Sequence, residues 1–291
     1  MPEPALRDTA RSSWLRPSGP WGHVPLGLLD SLIVLTGATW SLTVYQAVSM
    51  SMPMGIAVRG GMAADGMAGM AMGGMTASGW SIEGLVIFVA VWSVMMSAMM
   101  LPAAAPMIFL FASAQAKRRK NVAVPTLIFA AGYLLVWAGV GALVYVLVQI
   151  ASDVVTRFAP TERADWAPLA LGTTVVAAGL YQFTPIKRVC LAHCRSPFAF
   201  VAQYWREGQV GALTMGFRHG AYCLGCCWAL FAIMVAVGVM SLAWMLLLTL
   251  VVFAEKVLPQ GRRAAAAIGV ALAALGIIVA FGATPMPWLA Q

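Results

Sequence analysis

The sequence predicts an all-α polytopic membrane protein, a helical bundle of about seven transmembrane helices, six being the alternative, with its N-terminus in the cytoplasm. Three observations predict it. Of the 291 residues, 61% are hydrophobic and 10% charged, against roughly 45–50% apolar and 25% charged in soluble globular chains. Several apolar stretches reach the roughly 20 residues that cross a hydrocarbon core about 30 Å thick. The basic residues then sort to one side of the resulting layout.

The elements follow in order. Residues 1–25 form a cytoplasmic tail with Arg7, Arg11 and Arg16. The apolar stretch 26–48 exceeds a signal-peptide core of about 7–15 residues and is read as an uncleaved first span. Residues 49–80 make an extracytoplasmic loop rich in Met, Gly and Ala. The membrane bundle fills 81–283, with spans within 81–114 and at 123–150, 166–186, 212–238, 241–258 and 264–283, and 284–291 is a short C-terminal tail. A helix over 81–114 would be about 50 Å long. Pro102 and Pro106 inside it predict a kink or a break.

Under this layout the inner segments hold Arg7, Arg11, Arg16, Lys117, Arg118, Arg119, Lys120, Lys187, Arg188, Arg195, Arg206, Arg218, Lys256, Arg262 and Arg263. Only Arg59, Arg157 and Arg163, of the 18 Lys and Arg, fall outside. Such a bias orients a membrane protein. It also accounts for the net charge of +8, so the charge gives no reason to expect nucleic acid as a partner. No Gly-rich phosphate loop ending in Lys-Ser/Thr is present, so no nucleotide is expected either.

Three groups of residues can carry chemistry. The outer loop contains Met50, Met52, Met54, Met62, Met67, Met70, Met72 and Met75. Thioethers are soft ligands that select Cu(I), and the short Met-x-Met spacings let several sulfurs meet one ion; the plainer reading is a composition-biased loop. The second group is Met95, Met96, Met99 and Met100. Residues 95 and 99, like 96 and 100, share a helix face. Taken alone, that stripe reads more simply as apolar filling.

The third group holds all five cysteines, between 190 and 227. Cys190 and Cys194 share a face if that segment is helical, with His193 beside them, and His219, Cys223 and Cys226 or Cys227 stack at helical spacing. The layout puts both sets at or just within the cytoplasmic interface. A reducing compartment argues against structural disulfides and toward metal or redox use of the thiols. Glu255, next to Lys256 at the inner end of a span, reads as one of an interfacial pair with a snorkelling lysine. A membrane-embedded carboxylate is also a site candidate. Tyr181 and Gln182 are placed to bond between helices.

Three motifs run through these residues. The first joins Trp92 to Met95, Met96, Met99, Met100, Pro102 and Pro106. The second is Tyr181-Gln182-Phe183-Thr184-Pro185, followed by Lys187, Cys190, Cys194, Arg195 and Pro197. The third runs from Gly216 through Arg218, His219, Gly220, Tyr222, Cys223, Gly225, Cys226, Cys227 and Trp228 to Gly238, Met240 and Glu255-Lys256. In these motifs the chain resembles the bacterial integral membrane proteins grouped as domain of unknown function 2182. The resemblance covers most of 80–258 and implies metal binding in a bacterial inner membrane.

The function expected is binding of a soft transition metal. Cu(I) comes first and zinc second, with transport or delivery as the purpose. Ligands would be Cys190, His193, Cys194, His219, Cys223, Cys226 and Cys227, then the span methionines, with the loop methionines and Glu255 as weaker candidates. The thioethers outside, thioethers in a span and thiols at the inner face form a series of rising Cu(I) affinity. Two alternatives stand beside it: a membrane thiol–disulfide oxidoreductase using Cys223/Cys226, and a subunit carrying a structural zinc. No catalytic residue is expected on the leading reading. The partners expected are the lipid bilayer and a metallochaperone or second membrane subunit.

Overall fold

The computed structural model describes residues 26–50, 80–118, 121–158, 163–237 and 242–281. Helices account for nearly all of them: α1 Leu26–Met50, α2 Ile82–Ala116, α3 Ala123–Phe158, α4 Arg163–Tyr181, α5 Pro185–Arg195, α6 Pro197–Tyr204, α7 Gly208–Val237, α8 Leu242–Val257 and α9 Gly261–Ala280. Among the described residues there is no strand. The tails, and the loop with Met52, Met54, Met62, Met67, Met70, Met72 and Met75, lie outside the described residues, and Met50 closes α1.

Four helices, α2, α3, α7 and α9, are long and apolar enough to cross a membrane. A fifth crossing forms if α4 and α5, bent by 64° at their junction, act together. The protein is therefore an all-α multi-pass membrane protein, with four or five crossings clear among the described residues. α1 carries Asp30, Thr36, Thr39, Thr43 and Gln46 among its apolar residues, and the described part of α8 has 16 residues, about 24 Å of helix.

The fourth expected span, 166–186, also ends early. α4 stops at Tyr181, and α5 starts at Pro185 with the Thr184 side chain accepting from the Lys187 amide. A hydroxyl cap and a proline at the first helical position begin a new helix and set its new direction. Of the kink or break expected at Pro102 and Pro106, the break does not occur: α2 runs from Ile82 to Ala116 through both. Ala98, Met99, Met100, Leu101 and Ala104 are buried around them, and packing on these turns holds the helix in one piece.

Contacts along the helices give their directions. Trp80 Nε1 donates to Asp153 Oδ2 at 3.3 Å, and Trp92 Nε1 to the Trp137 carbonyl at 3.0 Å. Phe111 stacks on Phe129 at 4.7 Å, so α2 and α3 are antiparallel. α3 and α7 are parallel, because Gly216 lies against the Phe129 carbonyl and Gly220 against Tyr133 and Val136. α4 and α9 are antiparallel: Gly172 faces Ala280, and Gly179 faces Gly269 and Ala273. Small residues at these crossings let backbones meet, the usual basis of helix association in lipid. Outward side chains are apolar, as Leu127, Leu135, Leu143 and Leu147 show along α3.

Candidate metal centre

Two layers of aromatic rings cross the bundle and bound a slab between them. In one, Phe111 of α2 stacks on Phe129 of α3, which in turn stacks on His219 of α7 at 6.2 Å. In the other, Trp92 of α2 bonds to Trp137 of α3, which packs edge-on against Phe231 of α7 at 5.1 Å. Between these registers α2 carries Met95, Met96, Met99 and Met100, α3 carries Tyr133, and α7 carries Cys223, Cys226 and Cys227. All eight side chains are no more than 1% exposed. The span methionines and the α7 cysteines therefore occupy one layer.

The thiols meet across helices. Cys194 Sγ of α5 lies 3.9 Å from Cys226 Sγ. Cys190 rests against Gly225, where an added Cβ would come within 2.6 Å of its sulfur. Cys226 and Cys227 each donate back to the Cys223 carbonyl, at 3.1 and 2.8 Å. The Tyr181 hydroxyl donates to the Gly225 carbonyl, as its place at the end of α4 suggests. All five cysteines are free thiols.

Cys223 has the most polar surroundings. Lys256 Nζ donates to its sulfur at 2.9 Å, and the Tyr133 hydroxyl lies 3.1 Å from it. Lys256 is buried, as is Glu255, whose Oε2 pairs with Lys187 Nζ at 2.7 Å. This corrects the interfacial Glu255–Lys256 pair. Successive helix residues point in different directions and do not face each other, so each charge finds its partner on another helix. A buried cation must be compensated, and here one of them stands directly on a sulfur. That is the kind of charge a soft metal ion would itself bring to the site.

The histidines separate. His219 is buried between Tyr133, Phe129 and Phe200, with ring centroids 5.5, 6.2 and 5.5 Å away, and its Nδ1 has no hydrogen-bond partner. An unsatisfied buried ring nitrogen calls for an explanation, such as a ligand. His193 instead stacks on Tyr222 at 4.2 Å, its Nδ1 2.9 Å from the Val189 carbonyl. Sequence reasoning missed Tyr133 and Lys187 as neighbours of the site. The usable signal was a lysine two residues after the proline that starts α5, next to an otherwise apolar bundle.

Among the described residues, no three His, Cys, Asp or Glu side chains converge as a ready-made group for a metal ion. A closed four-ligand zinc site is thus not assembled there. The layer also holds the four thioethers of α2.

Residues 89–279 match the family described as PpoB2, copper chaperone. The chain belongs to the PpoB2 family. The matched region of this PpoB2 member holds the span methionines, all five cysteines, and Glu255 with Lys256. The family shown is copper-related, and the match does not extend to the name domain of unknown function 2182. No curated protein and no solved structure matches the chain.

Proposed function

We propose that this membrane protein binds Cu(I) as its cargo in the slab between the aromatic layers and hands it on, acting as a carrier and not as an enzyme. One observation carries the reading: the buried thiols of α7, with the half-buried Cys194 of α5 against them, lie in one core with the thioethers of α2, in a chain of a family described as copper chaperone. Soft sulfur donors select Cu(I) over hard ions. Cys194, Cys223, Cys226 and Cys227 would hold the ion first. Met95, Met96, Met99, Met100 and His219 would complete or relay it, with Cys190 and His193 toward the edge. With the cytoplasmic orientation that the basic bias predicts, an ion held there would be suited to delivery into the cytoplasm or to a soluble metallochaperone.

Metal analysis of protein purified under reducing conditions tests the proposal. Wild type should retain copper in preference to zinc, and a Cys223→Ser/Cys226→Ser/Cys227→Ser variant should not. Equally negligible copper in both proteins sinks it.

One distance supports a second reading. At 3.9 Å, the Cys194 and Cys226 sulfurs are a closer match to a thiol–disulfide pair across two helices than Cys223/Cys226, which lie on one. Oxidation would join them, releasing two protons and passing two electrons to an acceptor such as a quinone or a partner disulfide. A reversible, titratable disulfide at this pair, with no copper retained, would put this reading first.

A further inference from the structure

The α8–α9 turn and the end of α5 open a cavity of about 540 Å³ lined by Arg195, Pro259, Gln260, Arg262 and Arg263. No acidic side chain lines it. Arg195 reaches it from the end of α5 and is held in place: Nη1 donates to the Glu255 carbonyl, and Nη2 to the Pro259 carbonyl at 3.0 Å. Gly261 makes room for that guanidinium, because any Cβ there would overlap it. Both acceptors are backbone carbonyls, so the charge is oriented but not cancelled. The ion pairs among the described residues, Arg118–Glu207 and Lys187–Glu255, leave Arg195, Arg262 and Arg263 out.

Generic inner-side basic residues point into water from loops. Here the arginines converge from two helices on one concavity, and one of them is built into the fold. Guanidinium forks match the oxygens of a phosphate group. The cavity sits at the helix ends that the basic bias assigns to the inner membrane face, where basic pockets between helices take lipid headgroups. We propose that this cavity binds a phosphate group, with an anionic phospholipid headgroup as the source its position favours. An occupant would brace the end of α5 against the turn after α8, beside the Lys187–Glu255 pair. The proposal is independent of the copper reading.

The test uses the full chain in detergent and an Arg262→Gln/Arg263→Gln variant, whose changes fall on exposed side chains. Native mass spectrometry measures retention of phosphatidylglycerol against phosphatidylcholine, and a thermal-shift titration with inorganic phosphate measures binding of the free ion. Wild type should retain phosphatidylglycerol selectively. The variant should retain it about twenty-five-fold less well, each arginine contributing about fivefold. Saturable protection by inorganic phosphate, lost in the variant and without lipid selectivity, supports the site and assigns it to the free ion. Identical behaviour of the two proteins toward both probes overturns the proposal.

Discussion

α2 and α9 are both apolar enough to cross a membrane, yet 61% of the apolar stretch of α2 is buried and only 17% of that of α9. The buried helix carries four methionines in the sulfur layer, whereas α9 beyond Arg263 is built of Ala, Gly, Val, Leu and Ile. α9 meets its neighbour α4 through Gly269 and Gly276, set against Gly179 and Gly172. The difference teaches that hydropathy marks what crosses lipid but not what faces it. One part of the bundle is a backbone-to-backbone seam with lipid at its back. The other is a protein core in which sulfur, aromatic rings and paired charges are withheld from both water and lipid.

The largest effect separating the two parts should come from the buried ion pair. Lys187 and Glu255 have side chains 1% and 2% exposed, so Lys187→Met alone strands a carboxylate and should cost about 3–5 kcal/mol. The double variant Lys187→Met/Glu255→Leu should recover most of that loss. Thermal unfolding in detergent measures both, and a single variant as stable as wild type would show that water reaches the pair.

A smaller cost is expected at the α3–α7 seam. Gly216→Ala drives a methyl into the Phe129 carbonyl and should lose about 1–3 kcal/mol. Gly139→Ala, with nothing within 4 Å, should instead gain about 0.5–1 kcal/mol. The same unfolding experiment reads the contrast, and equal effects would mean that the seam is not closely packed.

Methionines used as ligands must differ from methionines used as filler. Met96→Leu/Met99→Leu keeps volume and should cost less than about 1.5 kcal/mol of stability. On the copper reading it lowers Cu(I) affinity about tenfold, equivalent to about 1.4 kcal/mol. Competition against a Cu(I) chelator measures this; unchanged affinity returns these residues to packing. The smallest effect belongs to the lipid side: Leu143→Ala, at a residue 58% exposed, should leave the midpoint within about 0.5 kcal/mol of wild type.

Much of the bundle was legible before any coordinates. Apolar runs located α2, α3, α7 and α9, and helical spacing put Cys223 and Cys227 on one side of α7. Tyr181 was placed to bond between helices, and it does so to Gly225. Other features were not legible. The bend after Tyr181 depends on a turn of three residues that a hydropathy window averages away. Lys256 was read as snorkelling because a lysine at a span end usually does so; nothing local reveals that Cys223 waits for it on another helix.

By itself, the sequence determined that the chain crosses a membrane as helices, that its thiols and thioethers gather in three segments, and which of them share a helix face. These are properties of composition and of the 3.6-residue repeat, both written along one chain. Tertiary structure alone decided that the α2 methionines and the α7 cysteines join one buried core, that Cys194 meets Cys226, and that Lys256 stands on Cys223 while Lys187 neutralises Glu255. Those facts depend on register between helices. Register is set by how closely Gly216, Gly220 and their facing backbones approach, a quantity that no periodicity along a single helix contains.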